Sequence, residues 1–104
     1  GIAYKLDPKD WCIVKVLENP RPIKNGQSFI VQVEVVKWQG QNPPQPGESV
    51  AMILQTLLAN AVTQAIKKYG IPLLIYARNL GKEKGKSYYN FEVKAKPISK
   101  DEGE

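Results

Sequence analysis

Residues 29–38 read FIVQVEVVKW and show the clearest period-two pattern in the chain. Phenylalanine or valine occupies every second position from 29 to 35, and the positions between them are mixed. Successive side chains of a β-strand point to opposite faces of the sheet. The pattern therefore predicts a long strand that packs its valines in the core, while Gln32, Glu34, Val36 and Trp38 face outward.

Four further strands and one helix are predicted around this segment. Residues 11–17 and 49–55 have strand-like apolar patterns, and loops rich in proline and glycine separate both from the long strand. Residues 56–70 change to helical spacing, with Gly70 at the C-terminal end. Residues 73–96 read LLIYARNLGKEKGKSYYNFEVKAK, which predicts a hairpin with a basic tip. The predicted order is β-β-β-α-β-β.

This order predicts an all-β fold with a single helix. A five-stranded sheet removes its exposed edges by closing into a barrel, and a helix with an apolar stripe can plug one open end. We therefore predict a five-stranded barrel within residues 11–98. An extended polar arm over residues 1–10 precedes it, and a short, flexible acidic tail over residues 99–104 follows it.

The composition argues against an enzyme. The chain has no histidine and one cysteine, so histidine-based catalysis, nucleophile activation by histidine and a zinc site are all ruled out. The ten acidic residues are scattered and form no calcium-binding loop, and no phosphate-binding glycine loop is present. We therefore expect a non-catalytic protein without a metal or other cofactor.

The sequence also indicates an intracellular protein. No apolar window approaches the length of a membrane span, and the first ten residues lack the apolar segment of a signal peptide. The single Cys12 cannot form an internal disulfide, which favours a reducing compartment. We expect a cytoplasmic location, in the host cell if the protein is viral, and no membrane partner.

Charge is the positive evidence for a partner. The net charge is +5. Residues 99–104 contain one lysine and three acids, so the rest of the chain has 14 basic and 7 acidic residues, a net charge of +7. A small basic domain without catalytic residues suggests an anionic partner, such as nucleic acid.

With these elements, residues 11–97 resemble the small OB-fold single-stranded nucleic-acid-binding proteins of archaeal, phage or viral type. Four features carry the resemblance. A first strand runs into the proline-broken loop ENPRPIKNGQ, and the long second strand FIVQVEVVKW follows. The helix TLLANAVTQAIKKYG comes after the third strand, and a basic hairpin joins the last two strands.

The resemblance implies binding of single-stranded DNA with little sequence specificity. The implied surface is the outer face of the second and third strands, flanked by the loop between strands one and two and the loop between strands four and five. Basic side chains there would follow phosphates, and aromatic rings would stack on unpaired bases. The implied contact residues are Arg21, Lys24, Gln32, Trp38, Tyr76, Arg78, Lys82, Lys84, Lys86 and Tyr88.

Several alternatives stay open at this stage. Trp38 and the two tyrosines could instead be packing residues, and the hairpin lysines could be a solvated turn. An RNA-binding OB module would use the same surface. A protein-interaction subunit of a larger complex would instead use Val36 and the loop QNPPQPG. The sequence also leaves open a homodimer.

Overall fold

A computed structural model describes residues 2–98 as one sheet packed against one helix. The strands of this part of the chain are β1 (Ala3–Tyr4), β2 (Trp11–Val16), β3 (Arg21–Ile23), β4 (Ser28–Gln39), β5 (Ser49–Gln55), β6 (Leu73–Lys82) and β7 (Tyr89–Pro97). The helix α1 (Thr56–Tyr69) lies between β5 and β6, and a short 3-10 helix (Lys24–Gly26) joins β3 to β4.

The sheet has the strand order β1-β5-β4-β2-β6-β7, and β3 also pairs with β4. The β1–β5 pair is parallel and the other pairs are antiparallel. The chain runs from β2 through β4 to β5, and then returns by way of α1 to place β6 beside β2. This spatial order, with the fourth strand beside the first, is a Greek key. β7 extends it by one strand.

The predicted mostly-β fold with one helix is confirmed, but the predicted five-stranded barrel is wrong. The sheet described for residues 2–98 has seven strands and not five. The two additional strands are the short β1 and β3, which were not predicted. It is not closed, because β5 and β7 do not pair. The free edge of β5 is instead paired with β1, through Ala51 and Met52. In a closed barrel this edge of β5 would pair with β7, but β1 occupies part of it.

The core lies between the sheet and α1. Most inward side chains of the four central strands, and three of the helix, are at most 8% exposed. Burial of each such valine or leucine stabilises the fold by roughly 1.5–3 kcal/mol. These buried residues are Cys12, Val14, Val16, Val31, Val33, Val35, Trp38, Val50, Met52, Leu54, Leu58, Ala59, Val62, Leu73, Ile75 and Ala77.

A β-bulge in β4 reverses the predicted direction of Trp38. Ile13 of β2 pairs with Lys37 but Val14 pairs with Val35, so Val36 is an extra residue without a partner. A bulge of this kind shifts the inward and outward alternation by one position. Trp38 therefore points inward and is 8% exposed, with its ring 6.0 Å from that of Tyr4. The prediction that it faces outward is wrong.

The N-terminal segment, predicted as a polar arm, packs against the domain. Leu6 is fully buried, and the buried side chain of Asn79 fixes its position. The Asn79 Nδ2 donates to the Leu6 carbonyl at 2.9 Å, and the Gly81 backbone N–H donates to the Asn79 Oδ1 at 2.8 Å. Lys9 and Asp10 add backbone hydrogen bonds to Asn79 at 2.8 and 3.0 Å. Asn79 of β6 thus holds residues 6–10 against the sheet, and the pairing of β1 with β5 holds Ala3 and Tyr4.

Candidate nucleic-acid interface

The outward face of β2 and β6 presents two aromatic and two aliphatic side chains to solvent. Trp11 and Ile13 of β2 alternate with buried residues, as do Leu74 and Tyr76 of β6. Ile13 pairs with Tyr76 across the strands, and the rings of Trp11 and Tyr76 lie 6.1 Å apart at a tilt of 41°. All four are half-buried, so each keeps an accessible surface. The sheet therefore carries an apolar strip on its solvent side.

Lysines flank this strip on both neighbouring strands. Lys37 of β4 pairs with Ile13, and Lys94 of β7 pairs with Tyr76. The Lys37 Nζ lies 5.4 Å from the centre of the Trp11 ring, and the Lys94 Nζ lies 5.9 Å from that of Tyr76. Both distances are within the range of cation–π contacts. Lys37, Ile13, Tyr76 and Lys94 thus form a row across four neighbouring strands. At the usual strand spacing the row is about 14 Å long.

We call this surface the basic aromatic face. It consists of Trp11, Ile13, Lys15, Lys37, Leu74, Tyr76, Arg78, Lys94 and Lys96.

The charge of this surface is positive. Its five basic residues face two acids, Glu34 and Glu92, which gives a net charge of +3. Glu34 lies 3.6 Å from the Lys15 Nζ, and Glu92 accepts a hydrogen bond from the Tyr76 hydroxyl at 3.5 Å. The ion pair is solvent-exposed and therefore worth little. The three other lysines have no ion pair among the described residues, so their ammonium groups remain available to an anion.

Two of the sequence-predicted residues lie on this face. Tyr76 is half-buried beside Trp11, and the exposed Arg78 pairs with Trp11 on one side and Glu92 on the other. The other predicted residues lie elsewhere, so the structure does not gather all ten into one site.

The face of β4 and β5 that the resemblance implied has a different chemistry. Gln32 is exposed there, but its backbone N–H donates to the Glu18 carboxylate at 2.8 Å. Its side-chain amide donates to the Ser49 hydroxyl at 3.0 Å. Glu48 lines the same shallow groove. Carboxylates beside Gln32 would repel phosphate, so this part of the sheet is poorly suited to nucleic acid.

The predicted loop residues form a second region, at the tip of the β6–β7 hairpin. A bulge at Leu80 shifts the register, so Lys82 pairs with Tyr89 and its Nζ lies 5.2 Å from that ring. Tyr88 and Lys82 line a groove of about 280 Å³ that also includes Gln27 and the first residues of α1.

The remaining loop residues are exposed and make no side-chain hydrogen bond or ion pair among residues 2–98. Lys84 and Lys86 lie in the turn of the hairpin, and Arg21 and Lys24 lie on β3 and the turn after it.

Sequence reasoning missed seven of the nine residues of the basic aromatic face: Trp11, Ile13, Lys15, Lys37, Leu74, Lys94 and Lys96. The alternation of β2 does place Trp11, Ile13 and Lys15 together, and that of β7 places Lys94 and Lys96 together. However, no pattern along the chain shows that β6 lies between these two strands. The bulge at Val36 also decides that Lys37 points outward.

Cys12 has no chemical role at this surface. Its side chain is fully buried on the opposite side of β2. Burial raises the pKa of the thiol to about 12. A hydrogen bond with the Ala77 backbone lowers this pKa in part, and the charge of Asp10 raises it by a smaller amount. The thiol therefore remains protonated at neutral pH and is a poor nucleophile or metal ligand. Residues 2–98 contain no cluster of three metal-ligating side chains.

Comparisons with known proteins give one informative similarity. The chain is 38% identical over 94 residues to an uncharacterized protein of Acidianus filamentous virus 2 (isolate Italy/Pozzuoli). The match covers 88% of this chain and 66% of that viral protein, so the chain spans slightly less than two thirds of the relative's length. No protein-family model matches, and no solved structure matches. No helix described for residues 2–98 is long and apolar enough to cross a membrane.

Proposed function

We propose that the protein binds single-stranded DNA, with little sequence specificity, through the basic aromatic face. The observation that carries this proposal is the solvent-facing pair of Trp11 and Tyr76, held between Lys37 and Lys94. Unpaired bases stack on aromatic rings, while ammonium groups beside the rings contact the phosphates that link those bases.

The surface favours single strands over duplex. Stacking on the side chain of Trp11 or Tyr76 requires a base face that a duplex hides between neighbouring base pairs. Each base–aromatic stack contributes roughly 1–3 kcal/mol and tolerates any base. None of the nine residues of this face is an asparagine or a glutamine, the side chains that read adenine edges, and its lysines and aromatic rings are suited to phosphates and to the faces of bases. Low sequence specificity follows from this composition.

We also propose that the fold is an opened variant of the OB-fold. That fold is a five-stranded, partly open Greek-key barrel. The support is the Greek key of β2, β4, β5 and β6 with β7 beside it, and the helix between the third and fourth long strands. The proposed site differs from the one that the resemblance implies, because it uses β2, β6 and β7 in place of the outer face of β4 and β5.

A binding titration tests this function. The protein is titrated with a labelled single-stranded DNA oligonucleotide, the matched duplex and the matched RNA, each at two salt concentrations. If the five basic residues of the face contact phosphates, log K should fall against log salt with a slope of about −3.5, from about −0.7 per contact. A preference for duplex, or binding that ignores salt, would contradict the proposal.

The same titration separates DNA from RNA. Tighter binding of the RNA oligonucleotide would assign the face to RNA, since direct contacts to the 2′-hydroxyl favour that ligand. If the protein bound none of the three nucleic acids, a protein would be the remaining candidate partner for this surface.

A further inference from the structure

Strand β7 ends the sheet with an unpaired edge. It pairs with β6 along one side, and no other strand within residues 2–98 pairs with its second side. The strand has nine residues, so this edge is about 30 Å long. An unpaired edge presents backbone N–H and C=O groups that can pair with another strand.

The apolar side of β7 is less covered than those of β2 and β6. Inward residues of β2 and β6 are at most 1% exposed, whereas Phe91, Val93 and Ala95 of β7 are only partly buried. These three residues pack against the core, α1 lies against β7, and each of the three keeps part of its surface accessible. A further strand beside β7 would cover that surface.

We propose that β7 pairs with β7 of a second copy of the chain. The two strands run antiparallel, and the twofold axis that relates them passes between the two Val93 residues. In this register Glu92 lies opposite Lys94 of the partner subunit, and Lys94 lies opposite Glu92 of the partner subunit. On the core side Phe91 lies opposite Ala95 of the partner subunit, which pairs a large side chain with a small one. Opposite charges and apolar pairs at such positions stabilise a sheet.

Other registers are less favourable. An axis at Glu92 would place two glutamates directly opposite each other, and an axis at Lys94 would place two lysines opposite each other. An axis between two residues would place the apolar side of one strand opposite the charged side of the other. The order Glu92-Val93-Lys94 is therefore self-complementary in one register, as an isologous dimer interface requires.

The dimer joins the two basic aromatic faces. β7 borders this face in each copy, so pairing two β7 strands makes one continuous sheet surface. Lys94 and Lys96 then lie on both sides of the seam. The two Tyr76 residues would be three strand spacings apart across the sheet, about 14 Å, and offset by two residues along the strands.

The molar mass of the protein in solution, measured without nucleic acid, tests the dimer independently of any binding function. Light scattering or sedimentation at micromolar concentration should give twice the chain mass of 11.6 kDa. A mass equal to one chain across this range would overturn the proposal.

Charge reversal tests the register. Glu92→Lys alone places lysines opposite Lys94 of the partner subunit, and Lys94→Glu alone places glutamates opposite Glu92 of the partner subunit. Each should raise the dimer dissociation constant about tenfold or more. The double variant Glu92→Lys/Lys94→Glu should restore the dimer. An equimolar mixture of the two single variants should form a heterodimer, because every pair in it is again complementary.

Circular dichroism melts establish that each variant is folded. Glu92→Lys also places a lysine beside Arg78 of its own chain. If this variant fails to fold, the mass of Lys94→Glu and of the double variant decides the question. Single variants that remain as dimeric as the wild type, or a mixture that forms no heterodimer, would overturn the proposed register.

Discussion

Replacement of Trp11 by alanine is the sharpest test of the basic aromatic face. The Trp11 ring is half-buried on the solvent side of β2, 6.1 Å from the Tyr76 ring and 5.4 Å from the Lys37 ammonium. Its removal deletes one stacking platform, which is worth roughly 1–3 kcal/mol of binding. At about 1.4 kcal/mol per tenfold change, the dissociation constant should rise about five- to a hundredfold.

Trp38→Ala is the matched control, because the chain has two tryptophans with opposite surroundings. Trp38 is 8% exposed and packs on Tyr4 inside the domain. Truncation of a core aromatic costs roughly 3–5 kcal/mol of stability, whereas loss of the half-buried Trp11 should cost less. Trp38→Ala should therefore lower the free energy of unfolding first, with little effect on the affinity of molecules that remain folded.

The assay is fluorescence anisotropy of a labelled single-stranded oligonucleotide, because the variants themselves lose tryptophan fluorescence. Urea unfolding measured in parallel gives the stability of each variant. Trp11→Phe retains an aromatic ring and should recover most of the affinity. The reasoning would be refuted if Trp11→Ala bound as tightly as the wild type, or if Trp38→Ala were the variant that lost affinity while remaining stable.

Three further predictions concern the hairpin, Asn79 and Cys12. Replacing Lys82, Lys84 and Lys86 with alanine should weaken binding less than the double variant Lys37→Ala/Lys94→Ala does, since the hairpin tip lies off the basic aromatic face. If the triple variant lost more affinity than the double variant in the anisotropy assay, the site would instead be the groove at the hairpin. Asn79→Ala should lower the free energy of urea unfolding by about 1–3 kcal/mol, because it leaves the Gly81 N–H without its partner and leaves the Leu6 carbonyl with only a long hydrogen bond of 3.5 Å from the Gln55 side-chain amide. The Cys12 thiol has a pKa of about 12 when folded against a reference value of 9.0, so the unfolded chain loses this proton first and stability falls as pH rises from 9 towards 12. Cys12→Ala should remove about 1.4 kcal/mol of the loss seen between pH 8 and pH 10, and an identical loss in both proteins would contradict the raised pKa.

The order and type of the main elements could be predicted from the sequence, because they depend on local spacing. The alternation in residues 29–38 predicted β4, and the change to helical spacing after Gln55 predicted α1. The valines at 31, 33 and 35 were correctly placed in the core.

Only the tertiary structure decided which side chains near the C-terminal end of β4 point into the core and which point to solvent. Two residues of β4 oppose one of β2 at Val36, and this single extra residue sends Trp38 inward and Lys37 outward. A bulge arises from the pairing of two strands, so the sequence of one strand does not contain it. The outward prediction for Trp38 was wrong for this reason.

The candidate site likewise depends on the neighbours of each strand. Trp11 and Tyr76 are 65 positions apart in the sequence and become adjacent because β6 returns to pair with β2. Local patterns state which side chains of one strand share a face, but the long-range pairing of strands determines which faces join. The sequence by itself therefore determined the five long strands, the helix, the core valines and the basic charge. Only the folded sheet decided that this charge surrounds Trp11 and Tyr76, because strand order is fixed by contacts between distant segments.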